Sequence, residues 1–187
     1  MRSHRRSRAF TLVEAMIVVA LVGVLAVLAT VAYRRWIRTS HVAEGEDVVS
    51  SIRSAEESFF AEHGGYLNVS VGLGPPNDYP AATPGAFKTA WGGPCSTCVT
   101  AAAWTSLNVK PSGPVYFGYS LTAGDGVASS PPANITVNGS ALSLSAMNGK
   151  PWYVIEADSN TSGDGVRWTR VFGISGNNRI LVSDEGE

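Results

Sequence analysis

No proline occurs between Phe10 and His63, and only Gly23 and Gly45 interrupt those 54 residues. All 10 prolines and 18 of the 20 glycines lie at or after Gly64. Proline and glycine are the residues that break helices. The first third of the chain can therefore run as one uninterrupted helix of roughly 80 Å. Helices in compact domains are seldom that long, so this helix must do something besides pack inside a globule.

Its two halves differ. Ala15 to Tyr33 reads "AMIVVALVGVLAVLATVAY", 19 residues without a charge. At about 1.5 Å per residue the run nearly crosses a hydrocarbon layer of about 30 Å. It exceeds the usual h-region of a secretory signal. Arg34, Arg35 and Arg38 follow it, and Arg2, Arg5, Arg6 and Arg8 precede it, so flanking charge favours the N-terminus inside by a small margin. The second half is amphipathic. Val48, Ile52, Ala55 and Phe59 recur at helical spacing, widened by Val49 and Phe60, while Glu46, Asp47, Arg53, Glu56, Glu57 and Glu62 take the other positions. Gly64 and Gly65 end the pattern.

From 64 to 114 the chain has no period of either kind, apart from a candidate short helix at Thr100–Leu107. Strand signals follow: "VYFGYSL" at 115–121, "NITV" and "SALSLSAM" flanking Asn138-Gly139, then "WYVIEA", "RWTRVFGI" and "RILVSD". Asn-Gly is strong hairpin chemistry, because both residues tolerate positive φ. Strands joined by short turns imply an antiparallel sheet. Alternation in "RWTRVFGI" suggests one wet face and one buried face, the latter against the stripe from Val48 to Phe60. The expected class is α+β, one very long N-terminal helix on a small antiparallel sheet. The expected divisions are a basic leader 1–9, the helix 10–63 (10–36 apolar, 37–63 amphipathic), and a head 64–187 with an irregular part 64–114 and a sheet 115–187.

From Phe10 onward the chain carries 10 Lys/Arg against 15 Asp/Glu. It has no basic patch of the kind direct nucleic-acid binding requires.

Glu14 stands at the start of the apolar run, where an ionised carboxylate costs about 2.5 kcal/mol or more on insertion scales. A residue so near the end of a span can reach water, or it can meet a partner cation. Its surroundings decide which to expect. "RAFTLVEAM", with the basic leader, the apolar run and the later "SAEESFFAEHGGYL", resembles the prepilin N-terminus of the type IV pilin superfamily, which includes type II secretion pseudopilins. The closing segments "EADSNTSGDGVRW" and "NNRILVSDEGE" are similar in style to the last strands of such pilins.

The resemblance implies a pilin-like fold and a route. A prepilin peptidase would cut between Ala9 and Phe10 on the cytoplasmic side, and the new Phe10 amine would be N-methylated. The subunit would wait in the inner membrane with its head outside. A platform protein and an assembly ATPase would then draw it into a surface filament of identical subunits, serving adhesion, motility or DNA uptake. Glu14 of one subunit would face the Phe10 amine of its neighbour and set the stagger. Two positions depart from the family pattern: Ala9 replaces the usual glycine before the cut, and Val31 stands where many major pilins have proline. Both leave room for a minor pilin or a pseudopilin.

Other constellations are weaker. Cys95-x-x-Cys98, the only cysteines, fit one small structural disulfide. A redox pair would make the chain a membrane-anchored periplasmic redox or binding protein indifferent to Glu14, but no βαβ pattern frames the motif. Zinc would need two more ligands, and His41 and His63 have no ligand spacing. Asp158, Asn160, Ser162 and Asp164 alternate in a glycine-bearing loop, an oxygen set that suits Ca²⁺, although Thr169 stands where an EF-hand has glutamate. The plainer reading is a polar turn. No catalytic set or nucleotide loop is present, so neither enzymatic activity nor an obligatory cofactor is expected.

Overall fold

A computed structural model describes residues 11–92, 101–160, 165–166 and 168–184. The order of elements is α1 (Leu12–His63), α2 (Ala101–Leu107), β1 (Gly118–Gly124), β2 (Asn134–Val137), β3 (Ser140–Ser143), a 3₁₀ turn (Ser145–Met147), β4 (Trp152–Ser159), β5 (Thr169–Ile174) and β6 (Asn177–Ser183). This is the α+β class expected. The proline-free stretch is one helix, and it ends where the glycines begin. Gly64 takes φ +75° and its N–H bonds the carbonyl of Phe60, a left-handed cap that Cβ-bearing residues resist. The chain divides into two units, Met1–Ile37 and Arg38–Glu187.

In the second unit a four-stranded antiparallel sheet has the order β1-β4-β5-β6, and β2-β3 form a separate hairpin. Asn138 and Gly139 make the hairpin turn with φ of 49° and 72°. The Asn138 side chain also ties that turn to β6, accepting from the Asp184 N–H and donating to the Val182 carbonyl.

The helix buries Val42, Val48, Val49 and Ile52 against Tyr119 and Leu121 of β1, Tyr153, Ile155 and Ala157 of β4, and Val171 of β5. The approach is closest at Gly173, where β5 and β6 also lose register. A Cβ added there would lie 2.8 Å from Val49 Cγ1 and 3.1 Å from Arg53 Cδ. Only glycine lets helix and strand meet so closely.

Two expectations need correction. The sheet does not have one wet face: Trp152, Val154, Phe172 and Ile174 are buried on the far side with Ile135 and Leu144. The β2-β3 hairpin and the turn after it cover that side, a long-range docking that alternation within one strand cannot report. Glu56, assigned above to the polar face, is fully buried. It lies one helical turn beyond Ile52, so the core-facing row runs through it.

The described residues between the helix and β1, 64–92 and 101–117, are tightly bound. They include α2, whose Trp104 is buried beside Tyr79 and Trp91. They also cover the outer edge of β1. The N–H groups of Val69 and Ser70 donate to the Leu121 carbonyl, Leu121 N–H donates to Ser70 Oγ, and Ala123 N–H donates to Asn68 Oδ1. Tyr79 and Tyr119 exchange a pair of backbone bonds further along. An exposed strand edge invites pairing with other chains, and this strap occupies it.

Because Gly173 meets Val49 without spare room, Gly173→Val is expected to destabilise the head by about 1–3 kcal/mol through overpacking. Chemical denaturation of the full chain in detergent, followed by far-UV circular dichroism, checks this.

Candidate assembly site at the start of the long helix

Leu12–Tyr33 is a 22-residue stretch with mean hydropathy 2.8 and no buried residue. Leu12, Met16, Ile17, Val19, Leu25 and Leu28 are each more than half exposed. Burying one such side chain is worth about 1.5–3 kcal/mol, so the row cannot rest in water. It needs lipid or other apolar helices. Thr30, in its second half, donates to the Val27 carbonyl at 2.8 Å. That bond satisfies the hydroxyl within its own helix, which suits a residue held away from water.

Thr11 and Glu14 close the start of this helix reciprocally. The Glu14 N–H donates to Thr11 Oγ1 at 3.2 Å, and the Thr11 N–H donates to Glu14 Oε2 at 3.5 Å. This is a capping box, with threonine before the first turn and glutamate three residues on. The first N–H groups of any helix lack partners in the chain, and in hydrocarbon an unpaired N–H is expensive. The box answers both needs and fits the helix macrodipole, whose positive end favours a carboxylate. The sequence reading weighed water against a neighbour's amine for Glu14 and missed this third partner. The signal was present: Thr-x-x-Glu before an apolar run. The second member of the proposed register pair, Phe10, and the expected cleavage position Ala9 lie outside the described residues.

The other candidate sites fare differently. Cys95 and Cys98 lie outside the described residues. His41 packs on Tyr116 and His63 on Phe59, at opposite ends of the helix half that carries the head, so they share no site. Asp158 is not on an open loop: it is fully buried at the end of β4, and Arg170 Nε donates to its Oδ1 at 3.1 Å. Asn160 is also buried, while Ser162 and Asp164 lie outside the described residues. Among the described residues no group of three or more His, Cys, Asp or Glu side chains is arranged to hold a metal ion. Asp158 serves an ion pair inside the head.

That ion pair belongs to a group the sequence did not reveal. Glu156 Oε1 lies 3.6 Å from Arg170 Nε, and Asp78 of the strap packs over Gly118, the residue opposite Asp158. Burial, reinforced by the neighbouring Glu156, pushes Asp158 up to about 8 against the pull of Arg170. Burial and the charge of Asp158 push Asp78 up to about 9. One guanidinium cannot neutralise two buried carboxylates and the half-buried Glu156, so the cluster retains protons near neutrality.

A helix half that must leave water, opened by a capped carboxylate and followed by a helix-on-sheet head, fits a membrane anchor and a pilin-like architecture. Residues 4–30 match the family described as the prokaryotic N-terminal methylation motif. The chain is 34% identical over 73 residues to the type IV major pilin protein PilA of Myxococcus xanthus (strain DK1622), which covers 39% of this chain and 33% of that protein. It is 36% identical over 74 residues to two type IV major pilin proteins PilE1 of Neisseria gonorrhoeae, covering 38% of this chain and 45% and 41% of theirs. The likeness thus spans less than half of each relative. No solved structure gives a significant match. The methylation motif and these relatives make the N-terminal part of the chain similar to that of the type IV pilins and support a member of that superfamily.

Thr11→Val keeps the side-chain shape and removes the acceptor of the Glu14 N–H. Loss of a cap costs about 0.5–2 kcal/mol. Amide exchange of the full chain in detergent micelles should therefore quicken severalfold at Glu14, with the amides of the head unchanged.

Proposed function

We propose that this chain is the structural subunit of a type IV pilus. It is made as a single-pass inner-membrane precursor with a cytoplasmic N-terminus. A prepilin peptidase cuts it between Ala9 and Phe10 and the new Phe10 amine is N-methylated. A platform protein and an ATPase then draw it into a homopolymer on the cell surface. The observation that carries this reading is the wholly unburied apolar half of α1 headed by Glu14. Such a surface is satisfied twice in this route, first by lipid and then by the same surface of other subunits. The relatives are structural pilins, which supports a structural rather than an enzymatic role.

Glu14 then has two partners in succession. In the lone subunit it holds the Thr11 N–H. In the filament its carboxylate also meets the methylated Phe10 amine of the next subunit. A buried charge pair recovers its desolvation only in close geometry, so the pair disfavours any other stagger.

A minor pilin or a secretion pseudopilin is the second reading. Ala9 before the cut, and a likeness confined to less than half of the major pilins, favour it. Mass spectrometry of sheared surface filaments from wild-type and Glu14→Ala cells separates the two. Abundant chains beginning at methylated Phe10, scarce in the mutant, are the expected result. A chain processed at Phe10 but missing from filaments means a pseudopilin or rare subunit, and a chain retaining Met1 to Ala9 overturns the prepilin route.

A further inference from the structure

Glu56 is the least expected residue of the head core. It is fully buried one turn past Ile52, among residues that pack on the sheet. Its Oε2 accepts one hydrogen bond, from the Leu67 N–H at 3.0 Å. Its Oε1 has no hydrogen-bond partner. Among the described residues it forms no ion pair. On its own helix, Arg53 gives its guanidinium to the carbonyls of Asn177 and Asn178, at the start of β6. Glu57 adds a second negative charge nearby, and it is the acceptor for the hydroxyls of Tyr66 from the strap and Tyr153 from β4. A carboxylate so placed is stable in its neutral form: the proton sits on Oε1, and Oε2 remains the carbonyl acceptor for Leu67.

Leu67 leads directly into the strap. The next residues, Asn68 to Ser70, supply the bonds that close the edge of β1 at Leu121 and Ala123. The Glu56–Leu67 bond is therefore the point where the core face of α1 holds the start of that cover.

We propose that Glu56 is a proton-operated latch on the strap Tyr66–Ser70, closed when its carboxyl is neutral and loosened when it ionises, so that proton loss uncovers the edge of β1. The direction follows from burial. Burial pushes the Glu56 carboxyl up from 4.5 to about 7, with the Leu67 N–H opposing and Glu57 adding to the rise. A group whose folded value is raised stabilises the closed form fully below its free value, and loses that contribution as pH rises through the folded value. The latch thus holds in mild acid and weakens across neutrality. The uncovered edge would offer the N–H groups of Leu121 and Ala123 to an added strand, so the exposed species is one competent for strand addition.

The test is amide exchange resolved by residue on the full chain in zwitterionic micelles, corrected for intrinsic rates. Between about pH 6 and about pH 8.5, protection at Leu67, Val69, Ser70 and Leu121 should fall about tenfold. Protection at Val154, in the sheet centre, should fall much less. Glu56→Gln keeps an acceptor for Leu67 and cannot ionise, so its strap protection should stay flat over that range. Equal wild-type protection at both pH values, or the same fall in Glu56→Gln, overturns the proposal. Should Glu56→Gln fail to fold, the carbon-13 titration of the Glu56 carboxyl in the wild-type chain decides. A midpoint near neutrality supports the latch and one near 4.5 overturns it.

Discussion

The head depends on the seam where α1 lies on β5 and β4. Val49 reaches within contact of the place where Gly173 has no side chain, and Ile52 fills the space beside it. Everything else in the head is arranged about that seam. The sheet packs on it, the hairpin closes the far side, and the strap seals β1 after the chain turns at Gly64. The same element thus supplies both a core and an unburied apolar arm.

Carboxylates mark the places where this design departs from simple packing. Glu14 opens the apolar arm and answers its own helix terminus. Glu56 sits in the core with one backbone donor. Asp78, Glu156 and Asp158 share Arg170 beneath the strap. None of the three settings gives the charge a full solvent shell, and each replaces water differently: by a cap, by a proton, and by a shared guanidinium with protons. Read together, they explain why a chain of modest net charge keeps acids in costly positions. Glu14 and Glu56 each hold a backbone N–H, and the third group holds a guanidinium.

What could be read from the sequence was local. The absence of proline before His63 announced α1, and Gly64 announced its end. Asn138-Gly139 announced the hairpin because its chemistry is complete in two residues. The Thr-x-x-Glu capping box was equally local and was overlooked beside the rarer membrane carboxylate. Long-range features were not legible. Nothing in "GLGPPNDYPAATPGAF" says that it crosses β1, and nothing in β5 says that its second face meets the hairpin. Glu56 was misplaced because its type suggested solvent while its spacing from Ile52 pointed inward. Of the assembly site, Glu14 was legible as an anomaly. The partner proposed for it in a neighbour would be a property of the polymer, which one chain does not contain.

The central claim is that Glu14 exchanges a partner within its own chain for one in the next subunit. The most direct measurement is a near-atomic reconstruction of sheared filaments, with the methylated Phe10 nitrogen of each subunit located against the Glu14 carboxylates around it. The account predicts a neighbour's Glu14 oxygen within about 2.7–3.2 Å of that nitrogen. A filament in which every Phe10 nitrogen lies beyond about 6 Å from any neighbouring Glu14 contradicts it.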